Sequence, residues 1–250
     1  MTPGRRRSLP GSHAPTPWAG VEIRNSKFEF SLLDDGVMPH GVFITFEGSE
    51  GCGKTTQIQR LSARLEKAGQ TVLVTREPGG TPLGESIRHL LKFADEGRDM
   101  TPETELLLFA ASRAQLVRRV IEPALGEGTW VIADRFMDST TVYQGVARRL
   151  DREAVRLINE FAVGARRPDL TFVLDVDHEE TRRRLLRRPR PLGAPDRMEQ
   201  MPPEFYEAVR EGYLVLARDE PDRFRVIQAG RSVEAVEEEV WEQVRGLIGQ

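Results

Sequence analysis

Residues 48–56 read Gly-Ser-Glu-Gly-Cys-Gly-Lys-Thr-Thr and directly follow the apolar run Gly41–Glu47. The pattern Gly-x4-Gly-Lys-Thr is that of a phosphate-binding loop, whose glycines let backbone N–H groups curl around an anion. Such a loop lies between a buried strand and the first turn of a helix, because the helix N-terminus adds partial positive charge beside the phosphate. This stretch therefore fixes one strand–loop–helix unit and predicts a nucleoside triphosphate site.

Each residue type in the loop has a role in holding a triphosphate. Lys54 is long enough to reach the β- and γ-phosphates, and the hydroxyl of Thr55 is a ligand for Mg²⁺. Cys52 is the only cysteine of the chain, and its small side chain suits a tight loop, so no redox role is assigned to it. The residues predicted to bind the nucleotide are Gly48, Ser49, Glu50, Gly51, Cys52, Gly53, Lys54, Thr55 and Thr56.

After the loop, short apolar runs alternate with stretches of helical periodicity. Runs rich in β-branched and apolar residues, which are typical of strands, lie at 71–75, 129–134, 170–176 and 224–227. Helices are predicted at 53–68, 83–93, 102–125, 139–150, 151–163, 178–188, 203–218 and 232–247. Thr101 is the predicted N-cap of the third helix because Pro102 follows it.

Buried strands that alternate with helices favour a parallel sheet covered on both faces. The sequence therefore predicts an α/β protein with a P-loop NTPase fold, in which helices flank both faces of a five-stranded parallel β-sheet. The first forty residues differ, since they begin with a stretch rich in Pro, Gly and Ser that has no periodicity. We expect residues 1–40 to be a disordered leader and residues 41–250 to be one domain.

Composition excludes several classes of protein. The net charge of −3 provides no basic field, so nucleic acid is not an expected partner. The apolar runs are far shorter than the ~20 residues that cross a bilayer, so no membrane partner is expected. One cysteine and four scattered histidines offer no metal-ligand spacing and no internal disulfide. These features together favour a cytoplasmic protein.

A phosphate-binding loop indicates a nucleotide but not a reaction. A kinase with a small acceptor, a GTPase switch and an ATPase motor all remain possible at this point. The chain has no Asn-Lys-x-Asp sequence, with which GTPases normally read guanine. A motor ATPase usually ends its second acidic strand with Asp-Glu, whereas here Asp134 is followed by Arg135. An arginine at the tip of a central strand suits a second phosphate group, because its guanidinium presents a fork of donors. A surface ion pair is the alternative reading of this arginine.

Five short blocks are spread along the chain: FEGSEGCGKTT, TREPGGTPLGESIR, LLLFAASRAQ, DRFMDSTTVYQG and RPDLTFVLDV. In this order they resemble the bacterial thymidylate kinase family, and the resemblance covers nearly all of the chain from Gly41 onward. It implies transfer of the ATP γ-phosphoryl group to thymidine monophosphate (dTMP), with Mg²⁺ accompanying ATP, and it implies a homodimer. A kinase for another pyrimidine monophosphate and a non-kinase P-loop ATPase or switch are the alternatives.

The resemblance also implies roles for residues that would hold the acceptor. Arg76 and Arg135 would bind its phosphate, Glu50 would accept a hydrogen bond from the sugar 3′-hydroxyl, and Asp134 would orient Mg²⁺ or its waters beside Thr55. The full set of implied dTMP-binding residues is Glu50, Arg76, Pro78, Arg88, Phe109, Arg113, Arg135, Thr140, Tyr143 and Gln144. Pro78 resembles the proline that follows a cis bond in the family.

Recognition of the base is assigned to two helical stretches. Phe109 and Arg113 are four residues apart and share one helix face, so the resemblance implies that the ring stacks on thymine while the guanidinium donates to a ring carbonyl. A core position is the alternative for this phenylalanine. Thr140 would bond the base edge and Tyr143 would crowd a ribose 2′-hydroxyl.

Residues 187–200 combine arginines with prolines in a loop-like stretch, and they resemble the lid of the family. The phosphate-binding loop lacks the arginine that some relatives carry there, which favours the variety in which lid arginines supply charge in the transition state. The implied catalytic residues are Lys54, Arg135, Arg190 and Arg197.

We expect Arg190→Ala to lower kcat far more than it raises the KM of the acceptor, because an arginine that stabilises transition-state charge contributes about 10³–10⁵ to the rate. Steady-state kinetics with both substrates varied would measure this. A kcat near that of the wild type would show that the lid assignment is wrong.

Overall fold

One parallel sheet organises the chain, in a computed structural model that describes residues 41–97, 99–187 and 201–248. Its strands are β1 (Phe43–Glu47), β2 (Val72–Arg76), β3 (Trp130–Asp134), β4 (Leu170–Asp175) and β5 (Phe224–Gln228). Their spatial order is β2-β3-β1-β4-β5, and every neighbouring pair is parallel. The predicted α/β architecture with a five-stranded parallel sheet is confirmed.

The helices are α1 (Lys54–Lys67), α2 (Pro82–Lys92), α3 (Pro102–Leu116), α4 (Glu122–Gly126), α5 (Met137–Thr140), α6 (Arg152–Val163), α7 (His178–Arg187), α8 (Pro203–Asp219) and α9 (Val233–Val244). Short 3₁₀ turns lie at Asp95–Gly97 and Arg245–Leu247. The hydroxyl of Thr101 accepts a hydrogen bond from the N–H of Thr104 and so caps α3, as predicted.

Helices cover both faces of the sheet because successive strand side chains point to opposite faces. On one face, Ile44 and Phe172 lie in an apolar cluster with residues of α1 and α9. On the other face, Phe43 and Val131 pack with Leu116 and with the residues that follow it. Burial on both faces explains why the central strands are continuous apolar runs rather than alternating ones.

Two threonines are exceptions in the buried strands. Thr45 of β1 and Thr171 of β4 are fully buried, and their hydroxyl oxygens lie 2.8 Å apart in a hydrogen bond. One of the two hydroxyls donates to the other, and Thr171 also accepts from Arg223 at 2.9 Å, so each has a partner that offsets the cost of its burial.

The predicted helix at 102–125 is not continuous. It is α-helical to Leu116, widens into a π-helix over Val117–Ile121, and resumes as α4 at Glu122. Pro123 explains the change, because it has no N–H to donate and its ring clashes with the carbonyl four residues earlier. In the wider π turn, the backbone passes the position of Pro123 without this clash.

The predicted helix at 139–150 is also altered. It begins earlier, as α5 at Met137, and continues as a π-helix over Thr141–Ala147. Over seven residues the α and π periods diverge too little for apolar spacing to distinguish them. The remaining predicted boundaries differ from the observed ones by one or two residues, except that the last predicted helix, 232–247, ends as α9 at Val244 and continues only as the 3₁₀ turn Arg245–Leu247.

Two sequence predictions lie outside the described residues. These are the leader at 1–40 and most of the lid at 187–200, which includes Arg190 and Arg197. Within the part of the chain that the structure describes, no helix combines the length and the apolar character needed to span a bilayer.

Candidate active site

The carboxyl ends of β1, β2 and β3 lie side by side, as parallel pairing requires. The loop 48–53 leaves β1, the segment 77–80 leaves β2, and Arg135 follows β3. Backbone hydrogen bonds tie these exits together, since the N–H of Arg135 donates to the carbonyl of Phe46 at 3.0 Å and that of Glu77 donates to Asp134 at 3.0 Å. The predicted site residues that follow these three strands are thereby collected at one edge of the sheet, where α/β proteins bind ligands.

The phosphate-binding loop has the backbone conformation that its glycines allow. Gly48 has a φ of 128°, and a Cβ there would lie 2.7 Å from the carbonyl oxygen of Leu174, so no larger residue fits. The predicted nucleotide residues 48–53 form the turn, and Lys54, Thr55 and Thr56 begin α1. The Lys54 ammonium donates to the carbonyl of Ser49 at 2.9 Å and lies across the loop.

Two oxygen donors for a metal lie beside the loop. The Thr55 hydroxyl donates to the carboxylate of Asp134 at 3.4 Å, which brings together the two residues predicted to serve Mg²⁺. Among the described residues, no group of three or more His, Cys, Asp or Glu side chains is arranged to hold a metal. A hydroxyl and a carboxylate fit Mg²⁺ bound together with a nucleotide, because that ion takes one or two protein ligands and completes its shell with phosphates and water.

Arg135 is held from several sides. One amino group of its guanidinium, Nη2, donates to Glu50 at 2.8 Å, and Nη1 donates to the hydroxyls of Ser139 at 3.2 Å and Tyr213 at 3.3 Å. Its backbone φ is 71°, a left-handed conformation that is uncommon outside glycine. An arginine that is strained in this way and bonded by its neighbours has a fixed direction.

Glu47, at the end of β1, holds the turn that carries this arginine. Its carboxylate accepts hydrogen bonds from the N–H of Phe136 at 2.8 Å, from Ser139 at 2.6 Å and from Tyr213 at 2.7 Å. Burial raises the pKa of Glu47, with the nearby carboxylate of Asp138 acting in the same direction. The sequence analysis missed Glu47, although a glutamate that ends an apolar strand was a signal that could have identified it.

Glu50 carries a negative charge at the centre of the site. Burial alone would raise its pKa, but the positive charges of Arg135, Lys54 and Lys92 outweigh burial and hold the pKa of Glu50 well below its ordinary value. The carboxylate therefore accepts hydrogen bonds at neutral pH.

A cavity of about 360 Å³ opens beside Glu50. Most of the residues predicted to bind dTMP line it: Glu50, Pro78, Phe109, Arg135, Thr140, Tyr143 and Gln144. Glu77, Lys92 and Ser139 also line it and were missed by the sequence analysis. Phe109 is half-buried and is one of the residues that line the cavity, so it is not a fully buried core residue.

Arg113 lies behind this wall rather than in it. Its side chain is 1% exposed and donates to Glu77 at 2.8 Å, to Asn159 at 2.7 Å and to the hydroxyl of Thr140 at 2.9 Å. Burial raises the pKa of Glu77 to about 7, by more than its ion pair with Arg113 lowers it. In this structure Arg113 supports two cavity residues, and direct contact with a base remains a prediction.

The other two predicted acceptor arginines also pair within the chain. Arg76 is exposed and forms an ion pair with Glu85 at 3.1 Å. Arg88 donates to the carbonyl of Pro78 at 2.9 Å. The Glu77–Pro78 bond is cis, as the resemblance implied. Neither arginine is among the residues that line the cavity.

Comparisons with known proteins agree with this geometry. The family model for thymidylate kinase matches residues 46–240. The chain belongs to the thymidylate kinase family. A thymidylate kinase of Desulfosudis oleivorans is 52% identical over 78% of this chain and 96% of that protein, and one of Deinococcus radiodurans is 47% identical over 83% and 98%.

A solved structure supports the fold assignment. The crystal structure of thymidylate kinase from Ehrlichia chaffeensis has a TM-score of 0.66 and 35% identity, and it aligns with 82% of this chain and 99% of that chain. The family resemblance and the P-loop NTPase fold that the sequence predicted are confirmed.

We expect Glu47→Gln to raise the KM for dTMP about tenfold, because the amide loses the charge that accepts from Ser139 and Tyr213, and such bonds contribute about 1.5–3 kcal/mol. Kinetics at saturating ATP would measure this. Glu66→Gln, on the solvent side of α1, is the matched control and should retain the wild-type KM. An unchanged KM for dTMP in the Glu47 variant would show that this carboxylate does not contribute to acceptor binding.

Proposed function

We propose that the protein transfers the γ-phosphoryl group of ATP to dTMP and releases dTDP and ADP. The observation that carries this proposal is the position of Glu50, which belongs to the phosphate-binding loop and also lines the cavity beside it. A donor held by the loop and an acceptor in the cavity would therefore meet at one residue. Membership of the thymidylate kinase family supports dTMP as the acceptor.

The chemistry suits these residues. The attacking group is a phosphate oxygen that is already ionised, so catalysis depends on aligning two anions and neutralising the charge between them rather than on a strong base. Arg135 would bind the acceptor phosphate from one side, and Lys54 would leave its loop carbonyl to bind the β- and γ-phosphates. Mg²⁺ held by Thr55 and Asp134 would neutralise charge on the transferred group. Arg190 and Arg197 would complete the catalytic set.

The cavity residues would select the base and the sugar. Phe109 would stack on thymine and Thr140 would bond its edge, with Arg113 behind. Tyr143 lies beneath Arg135, whose guanidinium carbon is 5.0 Å from the ring centroid, so the ring would crowd a ribose 2′-hydroxyl. Gln144 and Pro78 would complete the walls of the cavity. Glu50 would accept a hydrogen bond from the sugar 3′-hydroxyl. Arg76 and Arg88 would bind the acceptor phosphate after leaving their present partners.

A coupled assay of ADP release with each nucleoside monophosphate in turn tests this function. We expect rapid release with dTMP and slow release with the ribonucleotides, and Lys54→Met should abolish it because the donor phosphates lose their ammonium. Release at the same rate without any acceptor would support an ATPase instead. Faster release of ADP with another pyrimidine monophosphate would show that this nucleotide, rather than dTMP, is the acceptor.

We also propose that the enzyme is a homodimer in the cytoplasm. α3 packs against both α2 and α6, and these three helices carry exposed apolar side chains. Phe161 is 88% exposed and shares a face of α6 with Leu157 four residues earlier. The other exposed apolar residues of this layer are Leu83, Leu90 and Leu107. Apolar groups in contiguous helices typically mark a protein interface.

We expect Phe161→Asp to shift the protein from dimer to monomer, because a charge would be buried in an apolar interface. Light scattering during size-exclusion chromatography would measure the mass. Val215→Asp places the same charge at an exposed valine of α8 and is the control. A Phe161 variant that remains dimeric would exclude this layer as the interface.

A further inference from the structure

Helix α7 packs directly on the phosphate-binding loop. A Cβ placed on Gly51 would lie 3.1 Å from the side chain of Leu185 and 3.4 Å from the carbonyl oxygen of Thr181, so the loop and the helix are in close contact. None of the roles assigned above uses this contact. Helix α7 therefore contacts the loop that would hold the triphosphate, and it lies outside the acceptor cavity.

Arg184 makes the polar part of this contact. Its Nη1 donates to the carbonyl of Cys52 at 3.3 Å, and its Nη2 donates to the carbonyl of Ala229 at 2.8 Å. Its Nε donates to Glu180 on the same helix at 2.7 Å, which fixes the guanidinium plane. One side chain thus joins the loop that follows β1 to the turn that follows β5.

The bond to Cys52 has a directional consequence. In a trans peptide the C=O and the N–H point in opposite directions. Since the carbonyl of Cys52 faces Arg184, the N–H of Gly53 in the same peptide unit points away from Arg184. Gly53 is the N-cap of α1, and the amides at this position are those that hold phosphate in loops of this type.

We propose that Arg184 is a positioning residue for ATP. Its bond to Cys52 fixes the orientation of the Cys52–Gly53 peptide, and its bond to Ala229 fixes the distance between that peptide and the turn that follows β5. This inference rests on the proposed function. A free peptide would rotate among orientations, and only some of them direct the Gly53 amide at the phosphates. Preorganising donors in this way lowers the cost of binding an anion. The residues that line the acceptor cavity make no hydrogen bond to Arg184 among those described, so dTMP binding should not depend on it.

The chain contains a matched control for this residue. Arg183 precedes Arg184 on α7, has the same charge and forms an ion pair with the same Glu180. It is 58% exposed, compared with 29% for Arg184, and among the described contacts it has none with the loop. A difference between the two variants therefore isolates the bonds to Cys52 and Ala229 from the effects of charge and helix stability.

The experiment compares Arg184→Met with Arg183→Met. ATP binding in the absence of dTMP is measured by calorimetry, and KM is measured for each substrate. We expect Arg184→Met to weaken ATP binding and raise the KM for ATP about tenfold or more, with the KM for dTMP within a factor of about two. Arg183→Met should leave all three values unchanged. Arg184→Lys should restore part of the ATP affinity, because an ammonium can bond one of the two carbonyls but not both.

Two results would overturn the inference. One is wild-type ATP affinity in Arg184→Met, or in Arg184→Lys if the methionine variant does not fold. The other is an equal loss of affinity for both nucleotides together with a lower Tm, which would make Arg184 a general support of the fold. Failure of the proposed function looks different, since the wild-type enzyme would then release no ADP in response to dTMP.

Discussion

The site depends on the interaction between Arg135 and the two carboxylates beside it. Glu47 bonds the backbone that follows the arginine, and Glu50 bonds its guanidinium. A left-handed non-glycine residue costs about 1–3 kcal/mol, and hydrogen bonds to a charged group contribute about 1.5–3 kcal/mol each, so the bonds to Glu47 are sufficient to offset the strain. The result is a cation whose direction is set by the strand ends.

Three cations of the site are held by polar contacts within the chain. Lys54 bonds a loop carbonyl, Arg135 bonds Glu50, and Arg76 bonds Glu85. Under the proposed function each of these bonds would be exchanged for one to a phosphate oxygen: Lys54 would gain a stronger acceptor than a carbonyl, and each arginine would exchange one anionic acceptor for another. Since Glu47 continues to hold the Arg135 turn during such an exchange, the guanidinium would change partners without losing its direction. The resulting site is arranged in advance of binding.

The features that could be predicted from the sequence were those whose determining residues lie close together in the chain. The phosphate-binding loop and the strands could be predicted because their determinants lie within a few residues of one another. The supports of Arg135 could not, since Ser139 and Tyr213 reach Glu47 across 92 and 166 residues. The π turns were missed because a short apolar pattern fits two helical periods. Arg113 was predicted to contact the base, and its burial against Glu77 and Asn159 could not be predicted because it depends on tertiary packing.

Arg113 also bears on how the cavity would distinguish bases. Removing one partner of a buried ion pair is costly, so Arg113 is expected to remain with Glu77 when a ligand binds. Its bond to Thr140 occupies one lone pair of that hydroxyl and leaves the hydroxyl hydrogen for another acceptor. A base that presents a carbonyl to Thr140 is matched by this hydrogen, whereas one that presents an amino group would have to use the second lone pair of an oxygen that already accepts from Arg113. Under the proposed function, thymine at ring position 4 is of the first kind and cytosine of the second, so Arg113 would favour one base over the other through Thr140 even without direct contact.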